Sequence, residues 1–260
     1  MTFSAPTRLY PARPRAIIFD LDGTLVDTAL DLGRALNVLL AEYSRPSVTL
    51  NDIRHMVGDG AAKLVERGFS ATGGLPKPLP ELAKRFVEIY GAGVADESRP
   101  FPGVVETLER CRAAGIELGV CTNKPTGLSN ALLDALDLSR FFGAVAGGDG
   151  PVRKPDPRHL LGVVESLNAA PETALMVGDS TNDVQAARNA KMKVVIVSFG
   201  YTTVPPAQLA VDAIALRHQL LRGHSARGHG LRGPGNEPAQ EARRAVACRG
   251  DVVLRGDLEI

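Results

Sequence analysis

An unbroken apolar run, Ala16-Ile17-Ile18-Phe19, ends in Asp20-Leu21-Asp22-Gly23-Thr24. Apolar residues in succession, without polar alternation, are what a strand buried on both faces requires, and such strands belong to parallel sheets. The residue that follows emerges at the strand's carboxyl end, the edge where open α/β sheets bind ligands. Two carboxylates two positions apart, followed at once by Gly23, can face one small site. One can then attack a phosphorus or carbon centre while the other moves a proton. A solvated acidic turn would carry the same residues, so the pentapeptide has to be read in context.

The context is a change of rhythm along the chain. Between Thr28 and Ser98 the spacing predicts only helices: one carrying Leu32, Leu36, Leu39 and Leu40 and capped by Asp27 or Thr28, and one beginning near Thr49 with Asp52 as a capping-box partner. Two more span Ala61 to Ser70 and Pro80 to Tyr90, separated by the breakers Gly73-Gly74-Leu75-Pro76. From Pro100 onward helix and strand alternate: helices over Val104–Ala114, Leu128–Leu136, Pro157–Leu167 and Asn182–Ala190, and strands over Glu117–Cys121, Ala144–Ala146, Ala174–Val177 and Val194–Ser198. This alternation predicts an α/β fold, a doubly wound parallel sheet of Rossmann-like type with helices on both faces. The all-helical insert is expected to fold as a cap over the sheet's carboxyl edge. The expected division is 1–27 for the start of the core, 28–98 for the cap, 99–212 for the rest of the core, and 213–260 for an atypical tail.

The tail stands apart because it has no aromatic residue and no lysine but eight arginines, and it holds His218, His224 and His229. It reads as a disordered segment of the kind a reading-frame change in a GC-rich gene would produce, against the alternatives of a basic anion-binding arm or a histidine metal site. No function is placed there.

Composition narrows the partners. At 260 residues with a formal net charge of +1, the chain gives no reason to expect nucleic acid or an anionic membrane as a partner. No apolar run approaches a membrane span, and the first fifteen residues lack the apolar stretch of a signal peptide. Cys111, Cys121 and Cys248 have no metal-ligand spacing, and the first two sit in apolar settings that suit reduced thiols. A cytoplasmic monomer or homodimer is the expectation.

Three polar clusters follow expected strands as Asp20 does: Thr122-Asn123-Lys124, then Lys154-Pro155-Asp156, then Gly178-Asp179-Ser180-Thr181-Asn182-Asp183. Singly, Thr122 can be a helix cap, Lys154 a solvated loop charge, and Asp179 to Asp183 an acidic turn. Together they make one chemistry. Asp20, Asp22 and Asp179 offer hard oxygen ligands suited to one Mg²⁺ that also meets a substrate phosphate. The Thr122 hydroxyl and the Asn123 amide can hold phosphoryl oxygens, and Lys154 can stabilise the charge that builds on them. Asp183 can pair with Lys154 and hold it in place.

These four clusters resemble the signature of the haloacid dehalogenase-like superfamily, carried here by Asp20-x-Asp22-Gly23-Thr24, Thr122, Lys154 and Gly178-Asp179-x-x-x-Asp183 over residues from about 15 to 212. The resemblance implies that Asp20 is a nucleophile forming an aspartyl-phosphate and that Asp22 is the general acid/base. It also implies that Asp20, the main-chain carbonyl of Asp22, and Asp179 bind Mg²⁺. Asp at position 22 favours phosphatase over dehalogenase, because an alcohol leaving group needs a proton. Ile53 to Gly60 with Ala61 to Arg67, Asp27-Thr28 and Asn123-Lys124-Pro125 are similar to bacterial phosphoglycolate phosphatases. The implied reaction is hydrolysis of 2-phosphoglycolate, with another small metabolite such as a sugar phosphate, or a phosphomutase reaction, as the alternative. Gly58 and Gly60 can bring backbone N–H groups to a small anion, or can simply turn the chain between two helices. A signalling domain using Asp20 as a switch is disfavoured by Asp22, which would promote turnover.

Overall fold

The computed structural model describes residues 13–202 and 204–215. Six parallel strands form one sheet in the order β5-β4-β1-β6-β7-β8. They are β1 (Ala16–Phe19), β4 (Glu117–Cys121), β5 (Ala144–Ala146), β6 (Ala174–Gly178), β7 (Lys193–Val197) and β8 (Ala213–Ala215). Apolar runs form strands here because both faces are covered. Ile17, Phe19, Leu175, Val177, Val195 and Val197 enter one buried cluster, and their neighbours Ala16, Ile18, Ala174, Met176, Val194 and Ile196 enter the other. Successive side chains point to opposite faces, so the buried stretch of each strand is apolar, while Glu117 and Lys193 open β4 and β7 at exposed positions. Helices α5 (Val104–Ala113) and α6 (Thr126–Ala135) contribute to the first cluster. Helices α7 (Pro157–Ser166) and α8 (Thr181–Asn189) contribute to the second. The doubly wound arrangement read from the sequence is the one observed.

The first cluster continues into the helical insert: α1 (Ala29–Glu42), α2 (Leu50–Met56), α3 (Ala61–Ala71) and α4 (Leu79–Gly91). Helix α2 begins with the expected capping box, Thr49 Oγ1 accepting from Asp52 N and the Asp52 carboxylate accepting from Thr49 N. Phe69 packs edge-on against Tyr43 with ring centroids 5.7 Å apart, and Phe86 stacks on Tyr90 at 6.0 Å. Truncating a buried ring such as Phe69 to Ala would cost about 3–5 kcal/mol.

Three strands go beyond what the sequence predicted. Val26–Asp27 (β2) and Arg99–Pro100 (β3) form a two-stranded antiparallel ribbon at the base of the insert, too short for any periodicity to reveal. Ala213–Ala215 pair in parallel with Val195–Val197, so the sheet extends past the expected start of the tail at residue 213. Residues 216–260, with the arginines, His218, His224, His229 and Cys248, lie outside the described residues.

Candidate active site

Each expected site residue of the core follows a strand or lies in the loop after one, except Asp183, which sits in the first turn of α8. The Asp20 N–H donates to Val177 O at 2.9 Å, extending the β1–β6 ladder by one residue and presenting the carboxylate at the sheet edge. The Thr122 N–H does the same on the other side, donating to Ala146 O at 3.0 Å. Asp179 follows β6, and Lys154 comes from the loop between β5 and α7. The Lys154 Nζ lies 2.6 Å from Asp183 Oδ1 and 2.9 Å from Asp20 Oδ1. Oxygens of Asp20, Asp179 and Asp183 all lie within 4.8 Å of one another, and all three residues are buried.

Asp183 is held from both sides. Its Oδ2 accepts from the Ser180 N–H at 3.0 Å, the Ser180 hydroxyl at 2.7 Å and the Asp179 N–H at 3.2 Å, closing a capping box on α8. Only glycine fits at position 178, because a Cβ there would collide with the Asp183 carboxylate. The residue expected to position Lys154 therefore also anchors a helix.

Burial pushes Asp20 up to about 6, against the pull of the Lys154 ammonium. Burial, with the charges of Asp20 and Asp183, drives Asp179 well above the usual carboxylate range. For Lys154 burial works against the charge, but Asp183 and Asp20 more than reverse it, so the ammonium persists. Three carboxylates facing one ammonium leave a charge excess that a divalent cation with a taste for oxygen would neutralise. The donor set fits a divalent metal ion that takes oxygen ligands.

The Asp22 carboxylate stands apart from that cluster. It accepts from Lys124 Nζ at 3.0 and 3.2 Å and from Thr28 Oγ1 at 2.7 Å. Thr28 thus does not cap α1 with its hydroxyl. The first N–H groups of the helix turn instead to Tyr201, whose hydroxyl accepts from Thr28 N at 2.7 Å and Ala29 N at 3.0 Å, with Asp27 Oδ1 a longer acceptor for Ala29 N at 3.4 Å.

A cavity opens between insert and sheet edge, lined by Asp20, Asp22, Thr122 and Lys124 below and by Gly58, Gly60, Leu64, Phe86 and Tyr90 above. Thr122 Oγ1 accepts from Lys124 N at 3.2 Å, which leaves its proton to donate. The expected role of the Asn123 amide needs correction. Its Nδ2 donates to Gly58 O and to Lys154 O, both at 3.1 Å, so both N–H donors are already committed. Two carbonyl partners require the nitrogen on that side, and Oδ1 is the atom left without a partner. Gly58 likewise engages the core through its carbonyl rather than its N–H, with Asn182 Nδ2 reaching the same oxygen at 3.4 Å and Asp59 Oδ1 at 2.7 Å. Asn123 and Asn182 thus clasp the Gly58–Asp59 turn of the insert onto the core.

Three participants were given no role by the sequence. Lys124 stands in the Thr122-Asn123-Lys124 cluster and in the Asn123-Lys124-Pro125 resemblance, but nothing local assigns it to Asp22. Asn182 lies inside the Asp179 to Asp183 cluster without a role of its own there, and Tyr201, 22 residues beyond Asp179, carried no signal.

Comparison with known proteins gives a consistent result. The family described as haloacid dehalogenase-like hydrolase matches residues 17–197. The phosphoglycolate phosphatase of Caulobacter vibrioides is 51% identical over 209 residues, covering 79% of this chain and 88% of that protein. The phosphoglycolate phosphatase of Agrobacterium fabrum is 46% identical over 210 residues, covering 78% and 88%. The crystal structure of a predicted phosphoglycolate phosphatase from Haemophilus somnus aligns with a TM-score of 0.76 at 32% identity, covering 80% of this chain and 96% of that one.

Proposed function

The chain belongs to the haloacid dehalogenase-like hydrolases and is a phosphoric monoester hydrolase, and from that premise we propose that it is a Mg²⁺-dependent phosphatase converting 2-phosphoglycolate to glycolate and phosphate. The observation that carries the chemistry is Lys154 held between Asp20 and Asp183 at the carboxyl edge, with Asp179 beside them.

The Asp20 carboxylate attacks phosphorus, and the bond from phosphorus to the glycolate oxygen breaks as the aspartyl-phosphate forms. Asp22 donates a proton to the departing oxygen, since an alkoxide is a poor leaving group. Asp22 then takes a proton from the water that attacks the aspartyl-phosphate, and release of phosphate restores Asp20. The Thr122 hydroxyl donates to a phosphoryl oxygen, and the Lys154 ammonium stabilises the charge spread over these oxygens. Asp20, Asp179 and the main-chain carbonyl of Asp22 would hold Mg²⁺, which when bound offsets negative charge between Asp20 and the phosphoryl group. The helical insert covers one side of the cavity.

The substrate assignment is supported by the names of the two bacterial relatives. No helix among the described residues is long and apolar enough to cross a membrane. The buried, unpaired Cys111 and Cys121 suit a cytoplasmic location. Phosphate release from 2-phosphoglycolate is compared with release from a panel of sugar phosphates, with and without Mg²⁺. The expected result is Mg²⁺-dependent turnover fastest with 2-phosphoglycolate. Faster turnover of a sugar phosphate, or formation of an isomerised sugar phosphate, would overturn the substrate assignment.

A further inference from the structure

Lys124 is buried, at 5% exposure, and the reaction described so far gives it no task. A buried ammonium loses several kcal/mol of hydration and persists only where partners replace the water. Its partners are the Asp22 carboxylate, at 3.0 and 3.2 Å, and the face of Tyr90, whose ring centroid lies 4.4 Å from Nζ. Holding Asp22 is an incomplete account, because Thr28 Oγ1 already donates to Asp22 at 2.7 Å. Lys124 is also the only lysine or arginine among the described residues that line the cavity, where Leu32, Leu64, Phe86 and Leu128 make much of the wall.

We propose that Lys124 reads the carboxylate of the leaving group, making it the specificity-determining residue and selecting phosphate esters of short α-hydroxy acids. This rests on the phosphoglycolate reading above and names the residue behind it. The leaving oxygen must come within hydrogen-bond reach of Asp22 to take its proton. The substrate carboxylate must come within reach of Lys124 Nζ, which itself touches Asp22. Both anchors therefore bear on one small spot, and a carboxylate on the carbon that carries the ester oxygen meets both at once. A longer spacer drives the carboxylate into the apolar wall. Sugar hydroxyls set against Leu32, Leu64, Phe86 and Leu128 would find no partners, and buried hydroxyls without partners are unfavourable.

The test compares kcat/KM for 2-phosphoglycolate with that for 2-hydroxyethyl phosphate, which has a neutral CH2OH in place of the carboxylate. The wild-type protein is expected to prefer the carboxylate ester, and Lys124→Met to lower that preference by about 10²-fold, mainly through KM, as expected for loss of a hydrogen bond to a charged group. Lys124→Arg, which keeps a cation, is expected to recover part of it. An equal loss on both esters in Lys124→Met would overturn the proposal and make Lys124 a positioning residue for Asp22. Absence of any preference in the wild-type protein would instead overturn the phosphoglycolate reading and the proposal with it, before any variant is made. Should Lys124→Met fail to fold, a wild-type series decides: kcat/KM is expected to fall about tenfold when one methylene is inserted between carboxylate and ester oxygen. A flat series would overturn the proposal.

Discussion

The Tyr201 hydroxyl donates to Asp27 Oδ1 at 2.5 Å, tying the loop after β7 to the point where the chain enters the helical insert. The same residue donates its backbone N–H to Asp179 Oδ2 at 2.6 Å. On the other side of Asp27, Oδ2 meets the guanidinium of Arg54 on α2 at 3.4 Å. Burial, and next the Asp27 carboxylate, push the Tyr201 hydroxyl well above its ordinary range, so it stays a donor at any physiological pH. A continuous chain of contacts therefore links the acidic cluster to the insert.

Replacing Tyr201 by Phe removes the donor to Asp27 and the acceptor for Thr28 N and Ala29 N while keeping the ring. The expected loss is about 1–3 kcal/mol of stability, read by denaturant unfolding. The Mg²⁺ titration should change little, because the backbone N–H on Asp179 remains. Unchanged stability would mean that water replaces the hydroxyl without penalty.

Asp20→Asn is expected to reduce turnover to below about a hundredth of wild type with the fold intact, since an amide is a poor nucleophile. Circular dichroism checks the fold and phosphate release the rate. Higher residual activity in a folded protein would rule out Asp20 as the nucleophile.

Asp179→Ala is expected to raise the Mg²⁺ concentration for half-maximal activity by about tenfold or more, by removing a carboxylate ligand. Lys154→Met should act differently, lowering the rate at saturating Mg²⁺ and destabilising the fold by about 3–5 kcal/mol, because it strips the buried Asp183 of its partner charge. Rate and Mg²⁺ dependence together separate the two roles.

Asp31 supplies a pH test away from the acidic cluster. Buried on α1, it accepts from the Ser98 N–H at 2.8 Å, the Ser98 hydroxyl at 2.7 Å and the Glu97 N–H at 3.0 Å, pinning the start of the insert to its end. Burial alone would raise its pKa, but the Ser98 and Glu97 donors outweigh it and hold the carboxyl below the ordinary 3.8. The unfolded chain therefore binds the proton more readily, so the stabilisation is complete above the unfolded pKa and is lost as pH falls through the folded one. Asp31→Asn is expected to cost about 2 kcal/mol at pH 7, with the gap to wild type closing as pH drops below about 4. A gap that stays constant down to acid pH would show that charge plays no part.

Much of the core was legible in the sequence because its signals are local. A strand buried on both faces must be apolar throughout, so Ala16–Phe19 and Ala174–Gly178 announce themselves, and polar residues directly after them must emerge at one sheet edge. Asp20, Thr122 and Asp179 could be gathered on that rule alone, with Lys154 added from the loop after β5. The sequence by itself also determined that four helices separate β1 from the rest of the sheet. Only the tertiary structure decided the pairings across the cavity: Lys124 with Asp22, Asn123 and Asn182 with the Gly58–Asp59 turn, and Tyr201 with Asp27. Each joins groups more than sixty residues apart on loops and helix ends. Such contacts leave no periodicity, because hydrogen-bond partners are chosen by which buried donors and acceptors packing brings together, not by spacing along the chain.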